Sequence, residues 1–537
     1  MGTPATRVYF CSGTGLRNSY EHSRDFSDLT AQLQYFSGKV SFTQDNYMYL
    51  RKSYPIKINR AFESCNDVDY LYFQNGVNAK WYFYFVTDAQ YINDNTTELT
   101  IELDVIQTYM HDFTLQRCFI DRMHTATDQP GDNIVEENLD LGEYRTIEAP
   151  VITAYSDYKT TDLCIMVMSS VSLTGNSGFG EKVTGNVYDK IFSGHYVYAC
   201  LPDNIGALKT MLNNLDSEGK TDAIVAMWMY PKNYVKLSRG FSWSDGVVTV
   251  ESCMSNDVEI NKPADLDGYV PRNKKLLTYP YQMLYVNNNN GGNAKFHYEK
   301  FKATTQNPNI TFNIYGSVFP DGGLKMCPRN YNGKPGINFE EGITLNGFPT
   351  CAWNSDYYKI WLAQNQNSNA LTYITGGAQM VAGAALLIGS MGTGALVGGG
   401  MALNGMQQIA GQIAKTKDAE VQPPQARGNQ SSNINTSIGA QSFEFWTKCI
   451  DYQHANIIDD YFTAYGYKIN KWGTPNVKSR KKWNYIKTIG SCVKSSGIPV
   501  SDLEKIDSIF NNGITFWHAG YETGAYEVDN PIANPAV

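Results

Sequence analysis

Several common signatures of catalysis are missing from this chain of 537 residues. It has no Walker-type phosphate loop, no G-x-S-x-G motif, no G-x-G-x-x-G motif and no two cysteines spaced C-x-x-C. The seven histidines are scattered, and no two of them have the spacing that metal ligands use. Because these patterns mark the commonest nucleotide, hydrolase and zinc sites, we expect no enzymatic activity, no cofactor and no metal site.

Adjacent carboxylates occur at residues 340–341 and at residues 459–460. The two carboxylates of a glycosidase meet in space but usually lie apart in sequence. We therefore interpret both pairs as solvated or capping residues, and we expect the acidic stretch 134–141 to be exposed as well.

Charge is also scarce, since charged residues make up 18% of the chain and the formal net charge is −8. A protein that grips nucleic acid needs a basic face that neutralises phosphates, so a dedicated DNA-binding protein is not expected. An acidic wall past which DNA slides is compatible with this charge. The basic run at residues 478–485 (KSRKKWNY) fits a solvated strand end or a subunit contact better than a nucleic-acid site.

The ten cysteines form no cluster along the chain. In a chain of this length they represent background usage and not a disulfide framework. Reduced, mostly buried thiols fit assembly in a cytoplasm. The first residues, MGTPATRVYF, contain no apolar signal core, so Sec-dependent secretion is not expected.

One long stretch lacks charge altogether, because residues 360–414 contain no Asp, Glu, Lys, Arg or His. About twenty apolar residues can span a bilayer as a helix, and residues 380–403 have about that length. Glycines recur every few residues here, and each weakens an isolated helix by up to about 1 kcal/mol relative to Ala. The composition is typical of a membrane-active loop, and the alternative is a buried hairpin or flexible loop that fills a cavity.

Abundant aromatic residues together with many Asn and Gly favour strands and turns, so we expect a mainly β fold with some helix (β+α). The strongest predicted hairpin joins residues 70–73 to residues 81–86 through a turn at 74–76. Residues 287–292 form a predicted hairpin connection. Further strands are predicted at 164–169, 195–200, 461–470 and 513–517, and helices at 204–216 and 355–366.

Residues 99–105 alternate between apolar and polar side chains, the period of two that marks a half-buried strand. Leu99, Ile101 and Leu103 are expected to face the core. Glu102 and Asp104 are expected on the opposite face, in contact with water.

Composition divides the chain into five predicted segments. An apolar loop and a polar linker, residues 360–440, leave a globular body and return to it, as a long loop does and a terminal anchor does not. The other segments are an N-terminal β domain (1–150), a middle α+β domain (151–270), a second β domain (271–359) and a C-terminal β segment that rejoins the body (441–537).

Several stretches together resemble the tail knob (distal tail tube) protein of picovirus-type short-tailed bacteriophages. They span most of the chain and follow the order of that family, although residues 151–269 show no such match. The stretches are 73–75 (FQN), 80–86 (KWYFYFV), 101–109 (IELDVIQTY), 277–281 (LTYPY), 464–470 (AYGYKIN), 480–485 (RKKWNY) and 509–518 (IFNNGITFWH).

This resemblance implies tube-forming β-barrel domains, here residues 1–150 and 271–359, assembled as a homo-hexameric ring at the distal end of the virion tail. It implies that six apolar loops plug the lumen and are released to form a pore in the host cytoplasmic membrane, through which genomic double-stranded DNA passes without specific binding. An upper tail tube or connector protein is the implied neighbour in the virion.

Under this interpretation, Gly394 and Gly398 allow close packing between copies because they form a G-x-x-x-G step. Glu102 and Asp104 are candidates for lining an acidic lumen, and exposure on the outside of the ring is the alternative. The residues predicted to contact the membrane are Val381, Leu386, Leu387, Ile388, Leu396, Val397, Met401 and Leu403.

Two other functions are considered. A cell-wall-degrading tail protein needs a pocket of catalytic carboxylates or a Cys/His pair, which the sequence does not display. A receptor-binding adhesin suits an aromatic, Asn-rich surface. Neither function explains an uncharged apolar loop inside the chain.

Overall fold

A computed structural model of the protein describes most of the chain outside the apolar insert. The described residues are 6–47, 50–52, 54–76, 79–152, 163–169, 184–185, 191–192, 196–217, 223–288, 290–302, 309–317, 323–331, 342–345, 348, 350–352, 429–431 and 442–533. The apolar stretch 360–414, the carboxylates at 340–341 and the helix predicted over 355–366 lie outside these residues.

The described part of the chain is mainly β, as expected. The strands up to residue 152 are β1 (Thr6–Ser12), β2 (Ser23–Arg24), β3 (Val40–Tyr47), β4 (Ile56–Ile58), β5 (Val68–Gln74), β6 (Trp81–Asn93), β7 (Thr96–Leu103), β8 (Thr114–Leu115), β9 (Cys118–Met123) and β10 (Tyr144–Ile152). The next strands are β11 (Leu163–Ser169), β12 (Thr184–Gly185), β13 (Ile191–Phe192), β14 (Tyr196–Cys200), β15 (Ile224–Pro231), β16 (Val235–Leu237), β17 (Val247–Cys253), β18 (Ser255–Ile260), β19 (Gln282–Asn287), β20 (Asn293–Phe296), β21 (Ile310–Gly316), β22 (Leu324–Pro328), β23 (Ile343–Leu345) and β24 (Thr350–Ala352). The last strands are β25 (Asn429–Ser431), β26 (Glu444–Ile450), β27 (Tyr467–Gly473), β28 (Trp483–Ile489), β29 (Val493–Lys494) and β30 (Ile514–Trp517). The α-helices are α1 (Leu29–Ser37), α2 (Val105–Tyr109), α3 (Ile205–Ser217), α4 (Tyr452–Tyr465) and α5 (Val500–Asn512).

The described residues pack as two compact units, each assembled from separate stretches of chain. The unit that we call terminal combines residues within Met1–Arg145, Ala264–Gln282 and Ile450–Val537. The unit that we call central combines residues within Thr146–Pro263 and Met283–Cys449.

The terminal unit contains a six-stranded sheet in the order β3-β1-β5-β6-β7-β4. The predicted hairpin of β5 and β6 is confirmed, with Tyr70 opposite Phe85 and Gln74 opposite Trp81. Strand β5 is buried over most of its length. Phe36 of α1 stacks on Tyr70 with ring centroids 5.0 Å apart, and Phe73 stacks on Tyr84 at 5.3 Å.

A second sheet of the terminal unit brings the two ends of the chain together, in the order β2-β30-β28-β9-β27. The strand predicted at 513–517 is confirmed as β30. It pairs with β28 so that Trp483 lies opposite Trp517, and the rings of these two buried residues are 4.8 Å apart.

In the central unit, the main sheet has the order β16-β17-β14-β11-β15-β24-β25. Strand β11 is buried along its whole length, which explains why its sequence, LCIMVMS, is an apolar run without alternation. The strands predicted at 164–169 and 195–200 and the helix predicted at 204–216 are confirmed as β11, β14 and α3. The turn predicted at 287–292 joins β19 to β20, with Asn287 opposite Asn293.

One predicted strand, residues 461–470, is wrong over its first half. Residues 452–465 form α4, because Asp451 caps the helix by accepting bonds from the N–H groups of Gln453 and His454. Ala455, Ile458 and Phe462 place one apolar stripe in the core. The aromatic residues of this segment favour a strand locally. The helical spacing of its buried apolar residues and the cap at Asp451 stabilise a helix instead.

Candidate functional site

The two strands that flank the apolar insert in the sequence are neighbours in one sheet. Strand β24 precedes it and β25 follows it, and the two strands pair antiparallel, with Ala352 opposite Asn429 and Thr350 opposite Ser431. Opposite residues of antiparallel strands have Cα atoms about 5 Å apart. The residues that flank 353–428 in the sequence are therefore joined by one pair of short strands in the central unit, which we call the insert base.

The insert base is attached to the buried part of the sheet. Strand β24 pairs with β15, with Thr350 opposite Trp228, and Trp228 is fully buried. Phe348, just before β24, packs its ring against Tyr230 at 5.6 Å. After the insert, Phe443 is again fully buried. Strand pairing and buried aromatic side chains thus anchor the described residues on both sides of the insert.

The sequence predicts a loop at residues 360–440 but gives no sign of the insert base. β24 and β25 have three residues each, and their sequences, TCA and NQS, carry no alternation that would mark a strand. Only their pairing identifies them.

The two carboxylates that were candidates for lining a lumen differ in their exposure to solvent. Glu102 is exposed on β7, where Asn18 donates a 3.4 Å bond to it. Asp104 is 1% exposed, so its expected position on a wet face is wrong. The strand ends at Leu103, and alternation no longer applies beyond that residue.

Asp104 instead caps α2. Its carboxylate accepts a bond from the N–H of Gln107 at 3.0 Å and from the hydroxyl of Tyr70 at 2.9 Å. Burial raises the pKa of Asp104 to about 7, although these two bonds favour the ionised form.

Asp459 and Asp460 are not equivalent. The Asp460 side chain is 59% exposed and pairs with Arg272, as expected for a solvated residue. The Asp459 side chain is completely buried, contrary to expectation. It accepts bonds from the backbone N–H groups of Arg272 and Asn273, at 2.8 and 3.0 Å, and from the hydroxyl of Tyr269 at 2.8 Å. Asp459 therefore holds the segment before residue 274 against α4.

Glu137 is a third carboxylate that was expected to be exposed and that the structure buries. Its side chain is 2% exposed, and Lys275, equally buried, donates to it at 2.5 Å. Arg122 pairs with its other oxygen. Burial lowers the pKa of Lys275, and the charge of Glu137 opposes this effect. Two cations around one carboxylate satisfy the buried charge.

The basic run at 478–485 is largely internal, and its interpretation as a solvated strand end is wrong for several residues. Trp483 and Asn484 are fully buried, and Arg480 is 7% exposed and lies 3.9 Å from Asp128. Asn484 accepts bonds from the backbone N–H groups of Ser479 and Arg480. These side chains stabilise the fold and are not available to stack on bases.

Among the described residues, no group of three or more His, Cys, Asp or Glu side chains is arranged to hold a metal ion. His124 is buried, and its pKa is lowered to about 3 by desolvation and by the nearby charge of Arg480. Its Nδ1 accepts a bond from the N–H of Tyr485, which links β28 to the end of β9.

In the part of the chain that the structure describes, no helix is long and apolar enough to cross a membrane.

The N-terminal sheet defines the class of this protein. Residues 4–114, which contain β1 to β7, match the family described as the N-terminus of the caudoviral major tail protein. This match accords with a structural component of a bacteriophage tail.

A match over the C-terminal half of the chain shows the family to which the protein belongs. Residues 249–531, more than half of the chain, match the C-terminal domain of tail knob protein gp9 of Bacillus phage phi29, and the protein belongs to this family. The resemblance seen in the sequence is thereby confirmed.

Individual relatives are similar to this chain over almost its whole length. The tail knob proteins gp9 of Bacillus phages B103 and phi29 are 25% and 23% identical to this chain, and each alignment covers 98% of both sequences. The solved structure of the bacteriophage C1 tail knob protein gp12 has a TM-score of 0.64 over 96% of each chain, at 15% identity, which shows a shared fold. The relatives are named as parts of a phage tail and not as enzymes, so the expectations of a virion tail component and of a non-enzyme are confirmed.

Proposed function

We propose that this tail knob protein forms a DNA-conducting tube at the distal end of the virion tail. In this proposal, apolar inserts plug the tube and are released to penetrate the host cytoplasmic membrane during genome ejection. The observation that carries the proposal is the uncharged stretch 360–414, which is flanked by the two paired strands of the insert base.

Exposed in water, an apolar stretch of this length favours aggregation. Copies of it that meet inside a homo-hexameric ring bury one another, and each Å² of hidden apolar surface contributes about 25 cal/mol. A bilayer offers the same surface a second apolar environment. The absence of charge avoids an insertion penalty of about 2.5–3.5 kcal/mol per central charged residue.

The remaining parts of the proposal concern partners. The ring joins an upper tail tube or connector protein, and double-stranded DNA passes through without specific contacts, which the net charge of −8 supports. Glu102, which is exposed on β7, is the remaining candidate for lining the lumen. Assembly takes place in the host cytoplasm before the protein enters the virion.

Dye release from lipid vesicles tests the membrane step, with the purified protein measured over a range of pH. Because Ala352 lies opposite Asn429, residues 353–428 can be replaced by Asn-Gly, a two-residue hairpin turn. We expect the parent to release dye and this variant to release none while keeping the thermal stability of the parent. Release by the shortened variant at the level of the parent would disprove the role of the insert.

Single substitutions refine this test. Leu387→Asp and Leu396→Asp each place a charge within residues 380–403, and we expect either to reduce the rate of dye release at least tenfold. Gln366→Asp places the same charge in the uncharged stretch but outside these residues, and it should leave the rate unchanged. Equal rates for all three variants, or no release by the parent at any pH, would contradict insertion of residues 380–403.

A further inference from the structure

The terminal unit contains an open cleft of about 750 Å³ that the proposed function does not use. Its walls come from α4, from residues 269–272 and from residues 526–527. This volume lies within the range of about 300–1,000 Å³ that is usual for small-molecule sites.

Four half-buried tyrosines line the cleft: Tyr269, Tyr461, Tyr465 and Tyr526. Contacts behind them fix their positions. The hydroxyl of Tyr269 donates to the buried Asp459 at 2.8 Å, and the hydroxyl of Tyr526 donates to the carbonyl of Glu21 at 3.1 Å. The rings of Tyr461 and Tyr465 are 5.3 Å apart. Rings that are already held in place lose little conformational entropy when a ligand binds.

The polar groups of the cleft disfavour an anionic ligand. Asp460 and Glu527 are exposed carboxylates on its walls. The guanidinium group of Arg272 is neutralised, since it pairs with Asp460 and lies 3.5 Å from Asp459. An anionic ligand would therefore meet net negative charge. Asn456 adds an amide, which can both donate and accept hydrogen bonds.

We propose that this cleft binds a neutral saccharide. A sugar ring presents apolar C–H faces and a rim of hydroxyl groups. Tyrosine rings supply flat apolar surface with a polar edge, and carboxylates accept hydrogen bonds from hydroxyl groups more strongly than neutral acceptors do. The cleft combines both kinds of group within one small volume.

Saturation-transfer NMR and calorimetry on the full-length protein test the proposal. The probes are three neutral tetrasaccharides, chitotetraose, maltotetraose and cellotetraose, and a heparin-derived tetrasaccharide serves as the anionic comparison. We expect at least one neutral probe to bind and the anionic probe to bind at least tenfold more weakly. Absence of binding by all three neutral probes, or equal binding of the anionic one, would overturn the proposal.

Two substitutions locate the binding. Ala464→Trp fills the cleft from its wall without removing an existing side-chain contact, and Gln453→Trp places the same bulk on an exposed position of the same helix outside the cleft. We expect Ala464→Trp to weaken binding at least tenfold and Gln453→Trp to leave it unchanged, with both variants melting as the parent does.

Asn456→Ala gives a milder test, because it removes the amide and fills nothing. We expect a several-fold loss of affinity. Unchanged binding in Ala464→Trp would place the saccharide elsewhere on the molecule. Loss of the oligomer in Ala464→Trp, measured by light scattering, would instead identify the cleft as a contact between copies and would also overturn the proposal.

Discussion

At the level of single residues, the exposure expected from the sequence differs from the structure most clearly for three carboxylates. Glu137, Asp104 and Asp459 occur in stretches whose composition favours exposure, yet each is at most 7% exposed. A buried carboxylate is tolerated only when charges or hydrogen bonds satisfy it. Most of those partners, such as Lys275 for Glu137 and Tyr70 for Asp104, are distant in sequence, so no local pattern predicts them.

Asp104 gives a prediction about pH. Its pKa is raised to about 7 in the folded protein, whereas an unperturbed Asp titrates near 4. The folded state therefore holds a proton that the unfolded state releases, and the stability due to Asp104 decreases as pH rises from about 4 to about 7. Each pKa unit corresponds to about 1.4 kcal/mol.

The variant Asp104→Asn isolates this effect. Asn keeps an oxygen that caps α2 but does not ionise. We expect the free energy of unfolding of the parent, relative to the variant, to fall by a few kcal/mol between pH 4 and pH 7 and to stay level above pH 7. His124 changes stability in the opposite direction in this range, but equally in both proteins, so it cancels. A pH-independent difference in urea unfolding would contradict the assignment.

At the scale of elements, the turn between α4 and β27 depends on one glycine. Gly466 has φ of +66°, and a Cβ atom there would lie 2.5 Å from the backbone carbonyl of Met123. A glycine both adopts this conformation and allows the close approach of β9. The helix therefore stops at Tyr465 and the chain turns directly into the sheet.

We expect Gly466→Ala to lower the free energy of unfolding by about 3 kcal/mol or more, since backbone strain and overlap with immovable backbone atoms add. Gly490→Ala is the matched control, because Gly490 has φ of +86° and open space around its Cβ position. It should cost only about 1–2 kcal/mol, from strain alone. Equal losses in urea unfolding of the two variants would show that the contact with Met123 is unimportant.

At the scale of the whole molecule, the terminal unit is assembled from segments that are far apart along the chain. The six-stranded sheet uses residues 6–103 only, whereas β9 lies between β27 and β28, both from the C-terminal part. The N-terminal residues therefore contain one complete sheet and also strands, among them β9, whose neighbours come from the C-terminal part.

A fragment of residues 1–145 should show this difference. We expect the amide protons of β5 and β6 to exchange slowly in the fragment, as in the full chain, because every partner strand of that sheet is present. The amide protons of β9 should exchange fast in the fragment and slowly in the full chain. Hydrogen exchange read by mass spectrometry measures both, and slow exchange of β9 in the fragment would refute this account.

Features that depend on neighbours along the chain could be predicted from the amino-acid sequence alone. These are the mainly β class, the hairpin of β5 and β6, the buried run of β11, the helix α3, and the family, whose short motifs keep their order. Alternation, apolar runs and turn residues are local, so they are visible without coordinates.

Three features could be seen only in the tertiary structure. These are the burial of particular charged residues, the helix formed by residues 452–465 and the attachment of the insert. Glu137 depends on Arg122 and Lys275, and the insert base depends on two three-residue strands that are separated by the insert itself. Such features arise from contacts between distant segments, and the free energy of those contacts overrides local preference.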